Sequence, residues 1–179
     1  MSAAPKYAKI ERERRFLLER FPQEAIVVRT RRIQDRYIHG ARLRLREQTD
    51  DDGSAVFKLC QKISERADGA QQGYISTMYL TREEFRVFAQ LPASLLAKTR
   101  SSVPPFGIDV FEGVLAGLVL AEAEFDSAEQ AAALEIPSFI CSEVSGDDRF
   151  TGGRLVRASR DEVRAWLAEY GIYLPAGKL

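Results

Sequence analysis

The sequence predicts an α+β protein that is mainly β. Three observations lead to this fold class. Eight segments alternate apolar and polar residues with a period of two, as half-buried strands do. Turn-forming residues, among them Asp50-Asp51-Asp52-Gly53 and Pro104-Pro105-Phe106-Gly107, separate several of these segments. Helix-capping patterns open three further segments, so a few helices accompany the strands.

The alternating segments predict eight strands. They are Ile10–Leu18, Ala25–Thr30, Ala41–Glu47, Ala55–Ser64, Tyr74–Leu80, Leu95–Arg100, Ile108–Glu112 and Leu118–Phe125. Successive side chains of a strand point to opposite faces of its sheet. Each strand therefore has two faces, and the residue types on each face can be examined separately.

Caps mark the three predicted helices. Thr81 is followed three residues later by Glu84 and Ser159 by Glu162, which is the capping-box spacing, and Ser127 opens an Ala-rich segment. The third helix carries an apolar stripe before Gly171, formed by Val163, Trp166, Leu167 and Tyr170. This stripe predicts a packing helix, with Trp166 and Tyr170 as core or lid residues.

Length and charge limit the class of protein. The chain has 179 residues, which suits one domain covering 1–179. Its 26 Lys and Arg balance 26 Asp and Glu, so no overall charge favours nucleic acid or a membrane surface as a partner. The N-terminus lacks the apolar core of a signal peptide, and Val114–Ala121 is too short to span a membrane. We expect a cytoplasmic protein, as a monomer or homodimer.

Cysteine and histidine offer little chemistry. Cys60 and Cys141 have no metal-ligand spacing around them, which predicts free buried thiols. His39 is the one histidine, which excludes any mechanism that needs two. Candidate chemistry must therefore come from the charged side chains.

Those charges separate by sign along single faces of the predicted strands. Carboxylates share faces at Glu11 and Glu13 and at Glu122 and Glu124. Arg15 follows Glu11 and Glu13 on the same face of the first strand. On other strands, basic residues share a face in three groups: Arg42, Arg44 and Arg46; Lys58 and Lys62; and Lys98 and Arg100. For any single strand, the solvated face of an amphipathic strand is an adequate explanation. Repetition on several strands favours a site, because like charges on one face repel unless a ligand neutralises them.

The residue types indicate what such a ligand would be. Paired carboxylates supply hard oxygen ligands, which suit Mg²⁺ or Mn²⁺ rather than zinc. Clustered Arg and Lys suit phosphate oxygens. The sequence has no Gly-x-x-x-x-Gly-Lys loop, so a P-loop arrangement is excluded. The pattern predicts a site for a metal–polyphosphate complex.

The order of these motifs resembles the CYTH, or triphosphate tunnel metalloenzyme, superfamily. The family's N-terminal Glu-x-Glu-x-Lys strand corresponds to Glu11-Arg12-Glu13-Arg14-Arg15, with arginine in place of the usual lysine. The resemblance continues through Leu43-Arg44-Leu45-Arg46, Lys58-Leu59-Cys60-Gln61-Lys62, Lys98-Thr99-Arg100, Asp109-Val110-Phe111-Glu112-Gly113, Glu122-Ala123-Glu124-Phe125 and Asp148-Arg149-Phe150. A second departure is Ser76-Thr77-Met78, where several relatives carry glutamates.

The resemblance implies a closed eight-stranded antiparallel β-barrel forming a triphosphate tunnel, with flanking helices. It implies that Glu11, Glu13, Glu122 and Glu124 hold Mg²⁺ or Mn²⁺. The phosphate-binding residues would be Arg15, Arg44, Arg46, Lys58, Lys62, Lys98, Arg100 and Arg149. It also implies that Lys98 and Tyr37 form the pair that activates water.

The expected activity is metal-dependent hydrolysis of the terminal phosphoanhydride of a triphosphate. We expect the strand aromatics to face outward, which favours inorganic tripolyphosphate over substrates that carry a base. Three alternatives stay open. They are a class IV adenylyl cyclase that releases cyclic AMP and pyrophosphate, a thiamine or nucleoside triphosphatase, and a polyphosphate-binding barrel without catalysis.

Overall fold

A computed structural model describes residues 7–67 and 70–174, with side chains described outside 64–72. The strands are β1 (Lys9–Leu18), β2 (Arg29–Ile38), β3 (Leu43–Asp50), β4 (Ala55–Ala67), β5 (Ala70–Leu80), β6 (Ala93–Val103), β7 (Phe106–Phe111), β8 (Val119–Glu124) and β9 (Ser142–Glu143). The helices are α1 (Arg82–Phe88), α2 (Ala128–Ala132), α3 (Gly152–Leu155) and α4 (Arg160–Ala168). Short 3₁₀ turns cover Gly113–Leu115 and Asp148–Phe150.

The first eight strands form a closed antiparallel barrel, as predicted. Their order is β5-β4-β3-β2-β6-β7-β8-β1, and β1 closes the sheet by pairing with β5 as well as β8. The short strand β9 adds to β1 at Phe16 and Leu17. None of the helices in the described ranges is long and apolar enough to cross a membrane.

The second strand was predicted in the wrong place. Ala25–Thr30 precedes most of β2, and its Ile26 and Val28 side chains are exposed. The observed strand buries Ile33, Asp35 and Ile38. Because one of these three is a carboxylate buried among arginines, Arg29–Ile38 lacks the apolar alternation by which the other strands were predicted.

The capped helices lie where their caps predict. Thr81 and Ser159 each form a full capping box, and the Ser127 hydroxyl accepts a hydrogen bond from the Gln130 backbone N–H. The short helix α3 and strand β9 were not predicted. Both cysteines are free as expected, although Cys141 is exposed and only Cys60 is buried.

Apolar side chains cover the outside of the barrel in two places. Leu45 and Leu59 pack against Phe85 and Phe88 of α1. On the other side, the outer faces of β1, β7 and β8 pack against the segment that contains Phe139. Because the outer faces are the apolar ones, the inner faces of these strands are left for polar residues.

A third apolar cluster fills part of the interior. It joins inner-face side chains of four strands to the C-terminal helices: Leu17, Leu96, Phe111 and Leu120 from the barrel, with Phe150, Leu155, Trp166 and Leu167 among their partners. Trp166 is thus a core residue, and Tyr170 packs at the edge of this cluster. The C-terminal segment therefore closes part of the barrel and leaves the remaining interior as a cavity.

Candidate active site

The barrel encloses a cavity of about 470 Å³ whose wall carries most of the predicted site residues. Those residues are Glu11, Glu13, Arg15, Tyr37, Arg44, Arg46, Lys62, Lys98, Arg100, Glu122 and Glu124. They meet because each strand alternates with a period of two and the antiparallel register aligns the inner faces. The face-by-face interpretation of the charges is therefore correct for these strands.

Arg15 lies between two carboxylates from neighbouring strands. Its Nη2 donates to Glu13 Oε1 at 2.5 Å, and its Nε donates to Glu122 Oε1 at 3.1 Å. Glu122 also accepts a hydrogen bond from Arg100. Burial alone would raise the pKa of Glu122, but the charges of Arg100, Lys98 and Arg15 hold it well below its usual value. Glu122 is therefore an ionised carboxylate inside the barrel.

Lys62 joins the same group from β4. Its Nζ lies 2.8 Å from Glu11 Oε2 and 3.1 Å from Glu13 Oε1. Burial works to lower the pKa of Lys62, but the charges of Glu13 and Glu11 outweigh that effect and raise it. Glu124 lies directly opposite Glu13 in the β1–β8 register and is exposed. The four predicted metal-ligating glutamates thus surround one stretch of the cavity wall.

Asp109 was not predicted as a site residue and holds two predicted ones. Its carboxylate accepts hydrogen bonds from Lys98 Nζ at 2.5 Å and from Arg100 Nε at 2.7 Å, and its side chain is fully buried. Burial lowers the pKa of Lys98 and outweighs the opposing charge of Asp109. Lys98 is therefore easier to deprotonate than an exposed lysine.

Asp35 likewise binds two predicted site residues, both of which lie on β3. Arg46 donates to both of its oxygens at 2.7 and 2.8 Å, and Arg44 Nε lies 3.7 Å from Oδ1. Burial would raise the pKa of Asp35, but the charges of Arg46 and Arg44 outweigh it and hold the pKa at about 2. Arg44 Nε is buried without a hydrogen-bond acceptor. A buried donor without an acceptor, facing a cavity, is suited to an anionic ligand.

Neither aspartate was assigned a role from the sequence. Asp109 begins the segment Asp109-Val110-Phe111-Glu112-Gly113, and it shares a face with Phe111 on β7. Asp35 could have been found by the same alternation that gave the other inner residues, had β2 been placed correctly. The available signal was a single acidic residue, two positions before Tyr37, in a strand rich in arginine.

Tyr37 lines the cavity but is not next to Lys98. Tyr37 is opposite Ser94 on β6, whereas Lys98 is opposite Ile33, so the two are four residues apart along the strands, or roughly 13 Å. The Tyr37 hydroxyl lies against Gly152, where an added Cβ would be 2.1 Å away. Burial raises the pKa of Tyr37, which favours the neutral phenol. This geometry does not bring the predicted water-activating pair together.

Two predicted phosphate ligands lie away from this wall. Lys58 is on the inner face opposite Arg46, with its Nζ 5.3 Å from the centre of the Tyr79 ring, but it does not line the cavity. Arg149 pairs with Asp147 and Glu169 at 2.8 Å each, in a separate, partly exposed cluster with Tyr170. The structure therefore does not group Arg149 with the other predicted residues.

The donor chemistry of the four glutamates suits a hard divalent cation, but their arrangement does not form a ready site. Among the described residues, no three His, Cys, Asp or Glu side chains are grouped closely enough to hold a metal ion. Glu13 and Glu122 are instead engaged by Arg15, and Glu11 by Lys62. In this structure, three of the four glutamates are therefore bound to basic side chains.

The wall is not entirely charged. Phe111 and Tyr37 face the cavity, contrary to the expectation that the strand aromatics point outward. Further apolar side chains line the same cavity: Ile38, Leu43, Leu96, Leu120, Phe150 and Leu155. The site thus combines a charged region with an apolar region.

Comparison with known proteins supports the fold. The chain matches no protein-family model, and a comparison with curated proteins gives no match. Its structure is similar to two crystal structures, one of the hypothetical protein NE1496 and one of the inorganic triphosphatase NE1496. Each is 24% identical with a TM-score of 0.54 and covers 83% of this chain, and this chain covers 99% and 95% of theirs. This likeness extends over nearly all of those chains and supports the barrel fold.

Proposed function

We propose that this protein hydrolyses the terminal phosphoanhydride of a triphosphate, with inorganic tripolyphosphate as the first candidate substrate and Mg²⁺ or Mn²⁺ as the metal. One observation carries the proposal. Eight basic side chains and six carboxylates of the described residues line a single cavity. The carboxylates would repel a polyanion that binds alone, and the basic groups would repel a cation that binds alone. A metal–triphosphate complex presents both signs of charge and so complements both sets of groups.

Ligand binding then exchanges partners within the cavity. Lys62, Arg100 and Arg44 would move from carboxylates to phosphate oxygens, where arginine can bind two oxygens at once. The released oxygens of Glu11, Glu13, Glu122 and Glu124 would hold the metal. When bound, the metal supplies further neutralisation of charge on the phosphate oxygens.

The chemical step needs an oriented water and a group that accepts its proton. Water oxygen attacks the terminal phosphorus in line, the bridging P–O bond breaks, and tripolyphosphate gives orthophosphate and pyrophosphate. Lys98 is the candidate proton acceptor, because burial lowers its pKa and because it lies among the phosphate-binding groups. Tyr37 would contact the substrate rather than share a proton with Lys98.

The apolar region of the wall favours a second candidate. A nucleoside or thiamine group attached to the triphosphate could pack against Phe111, Phe150 and Leu155 while the phosphates occupy the charged region. The cyclase alternative would use the same placement of ATP but form cyclic AMP and release pyrophosphate. The name of the structural neighbour NE1496 favours the inorganic substrate.

The test offers tripolyphosphate, ATP and thiamine triphosphate to the purified protein with Mg²⁺, Mn²⁺ or EDTA, and separates the products. We expect metal-dependent orthophosphate, and a loss on the order of 100-fold or more in Glu122→Gln. Glu112→Gln is the matched control, since Glu112 forms an exposed pair with Arg32 away from the cavity. Cyclic AMP from ATP would establish the cyclase. Equal activity with and without EDTA would refute the requirement for a metal. Saturable binding of tripolyphosphate without turnover would refute hydrolysis.

A further inference from the structure

Arg15 is the most enclosed cation of the carboxylate region. Its side chain is 4% exposed, and its guanidinium bridges Glu13 on its own strand and Glu122 on β8. Its backbone N–H donates to Ser145 Oγ at 2.9 Å, which fixes the strand at this position. The two carboxylates it joins are predicted metal ligands from two different strands.

The guanidinium of Arg15 places a permanent positive charge between Glu13 and Glu122. It stays protonated at every ordinary pH and offers five N–H donors in a rigid plane, so one arginine can satisfy carboxylates on two sides. A lysine ammonium at the same position is a compact charge on a flexible stem. A divalent cation between Glu13 and Glu122 would have to displace the guanidinium or tolerate its charge at close range.

The other basic groups of the region are more exposed to solvent than Arg15. Lys62 has a side chain that is 34% exposed, and Arg100 bonds to both Asp109 and Glu122 and so keeps a carboxylate partner if it releases one. Both can turn toward an incoming phosphate. Arg15, whose side chain is almost inaccessible to solvent, has the least freedom to do so.

We propose that Arg15 occupies the place that a resident divalent cation would need between Glu13 and Glu122, so that metal enters this cavity as a complex with the triphosphate. The proposal rests on the proposed function, because it concerns the metal of that same site. It assigns Arg15 as a positioning residue that keeps the two carboxylate strands together in the substrate-free protein.

The test measures Mn²⁺ binding without any triphosphate, by the loss of the electron paramagnetic resonance signal of free Mn²⁺. We expect Arg15→Lys to bind Mn²⁺ on the order of 10- to 100-fold more tightly than the wild type, the scale on which partners of metal ligands affect affinity. Arg46→Lys is the matched control, because Arg46 is also paired with a buried carboxylate, Asp35, but does not touch Glu13 or Glu122. Its Mn²⁺ affinity should equal that of the wild type.

Thermal unfolding gives a second readout that does not depend on activity. The midpoint of the wild type should not respond to Mn²⁺, whereas Arg15→Gln, which leaves the carboxylates without their bridge, should melt lower and be raised by Mn²⁺. Tight stoichiometric binding of Mn²⁺ by the substrate-free wild type would overturn the proposal. Equally weak binding by the wild type and both Arg15 variants would overturn it too.

Tight binding of Mn²⁺ by the substrate-free wild type refutes the proposal even where a variant fails to fold. Failure of the proposed function gives a different result, since it appears as absence of turnover on every triphosphate and leaves Mn²⁺ binding unchanged. A wild type that turns over tripolyphosphate and also holds Mn²⁺ tightly without it would refute the role of Arg15 and leave the proposed function intact.

Discussion

Asp35→Asn tests whether the cavity is held together by buried aspartates. Asp35 is 1% exposed and accepts two hydrogen bonds from Arg46, with Arg44 nearby. Asparagine keeps the size of the side chain and removes its charge. Two partly buried guanidinium groups then lose the carboxylate that they share, and removing one partner of a buried ion pair is strongly destabilising.

The size of the effect can be worked out in two ways. Removing one partner of a buried ion pair costs about 3–5 kcal/mol of unfolding free energy. The pKa of about 2, against 3.8 for an ordinary aspartate, corresponds to about 2 kcal/mol of stability from ionisation alone. Because the folded pKa is the lower one, this contribution is complete above pH 3.8 and is lost as the pH falls toward 2.

Urea unfolding of the wild type and the variant at several pH values measures both quantities. We expect Asp35→Asn to lose about 3–5 kcal/mol at neutral pH, and the gap from the wild type to narrow by about 2 kcal/mol as Asp35 of the wild type becomes protonated. Glu112→Gln, which breaks an exposed pair, should cost no more than about 1 kcal/mol. A loss in Asp35→Asn as small as that in the control would refute the reasoning, as would a gap that does not change with pH.

Two further predictions concern the neighbours of the proposed catalytic groups. If Lys98 accepts the proton, activity rises with pH as Lys98 loses its proton. Asp109→Asn, which removes a charge that raises the pKa of Lys98, should move this limb of the pH–rate profile to lower pH. An unmoved limb would exclude Lys98 as the base. Gly152→Ala places a Cβ 2.1 Å from the Tyr37 hydroxyl and should cost about 1–3 kcal/mol in urea unfolding. Adding Tyr37→Phe should restore most of it, and an equal loss in both backgrounds would show that the hydroxyl is not the obstacle.

The sequence predicts this fold well wherever the outer face of a strand is apolar. On β1, β3 and β8 the apolar residues pack outward against the segments that cover the barrel, so alternation identifies both the strand and its inner face. The inner-face residues then follow from the period of two. That is why Glu11, Glu13, Arg15, Arg44, Arg46, Glu122 and Glu124 were found from the sequence and lie on one cavity.

Apolar alternation does not predict a strand whose buried positions include a charged side chain paired with other charges. Asp35 is as buried as Ile33, yet in the sequence it looks like a solvated residue, and β2 was misplaced for that reason. Arg149 shows a second limit. It lies in a 3₁₀ turn, where side-chain direction does not follow a two-residue period, and it turns to Asp147 and Glu169 instead of the cavity. The contact between Tyr37 and Gly152 joins distant parts of the chain, and no local pattern encodes it.

Six of the eight basic side chains described on the cavity wall are paired with a carboxylate, and this pairing bears on ligand selectivity. A phosphate that enters must compete with Asp109, Glu13 and Glu122 for groups already bound at hydrogen-bond distance. A ligand with one phosphate gains contacts with few basic groups while opening as many ion pairs, so its net gain is small. A chain of three phosphates reaches groups on several strands at once, and each contact after the first is made within an assembled complex. Under the proposed function, an interior whose basic side chains are mostly paired would therefore select ligands by their number of phosphates, although no single side chain detects that number.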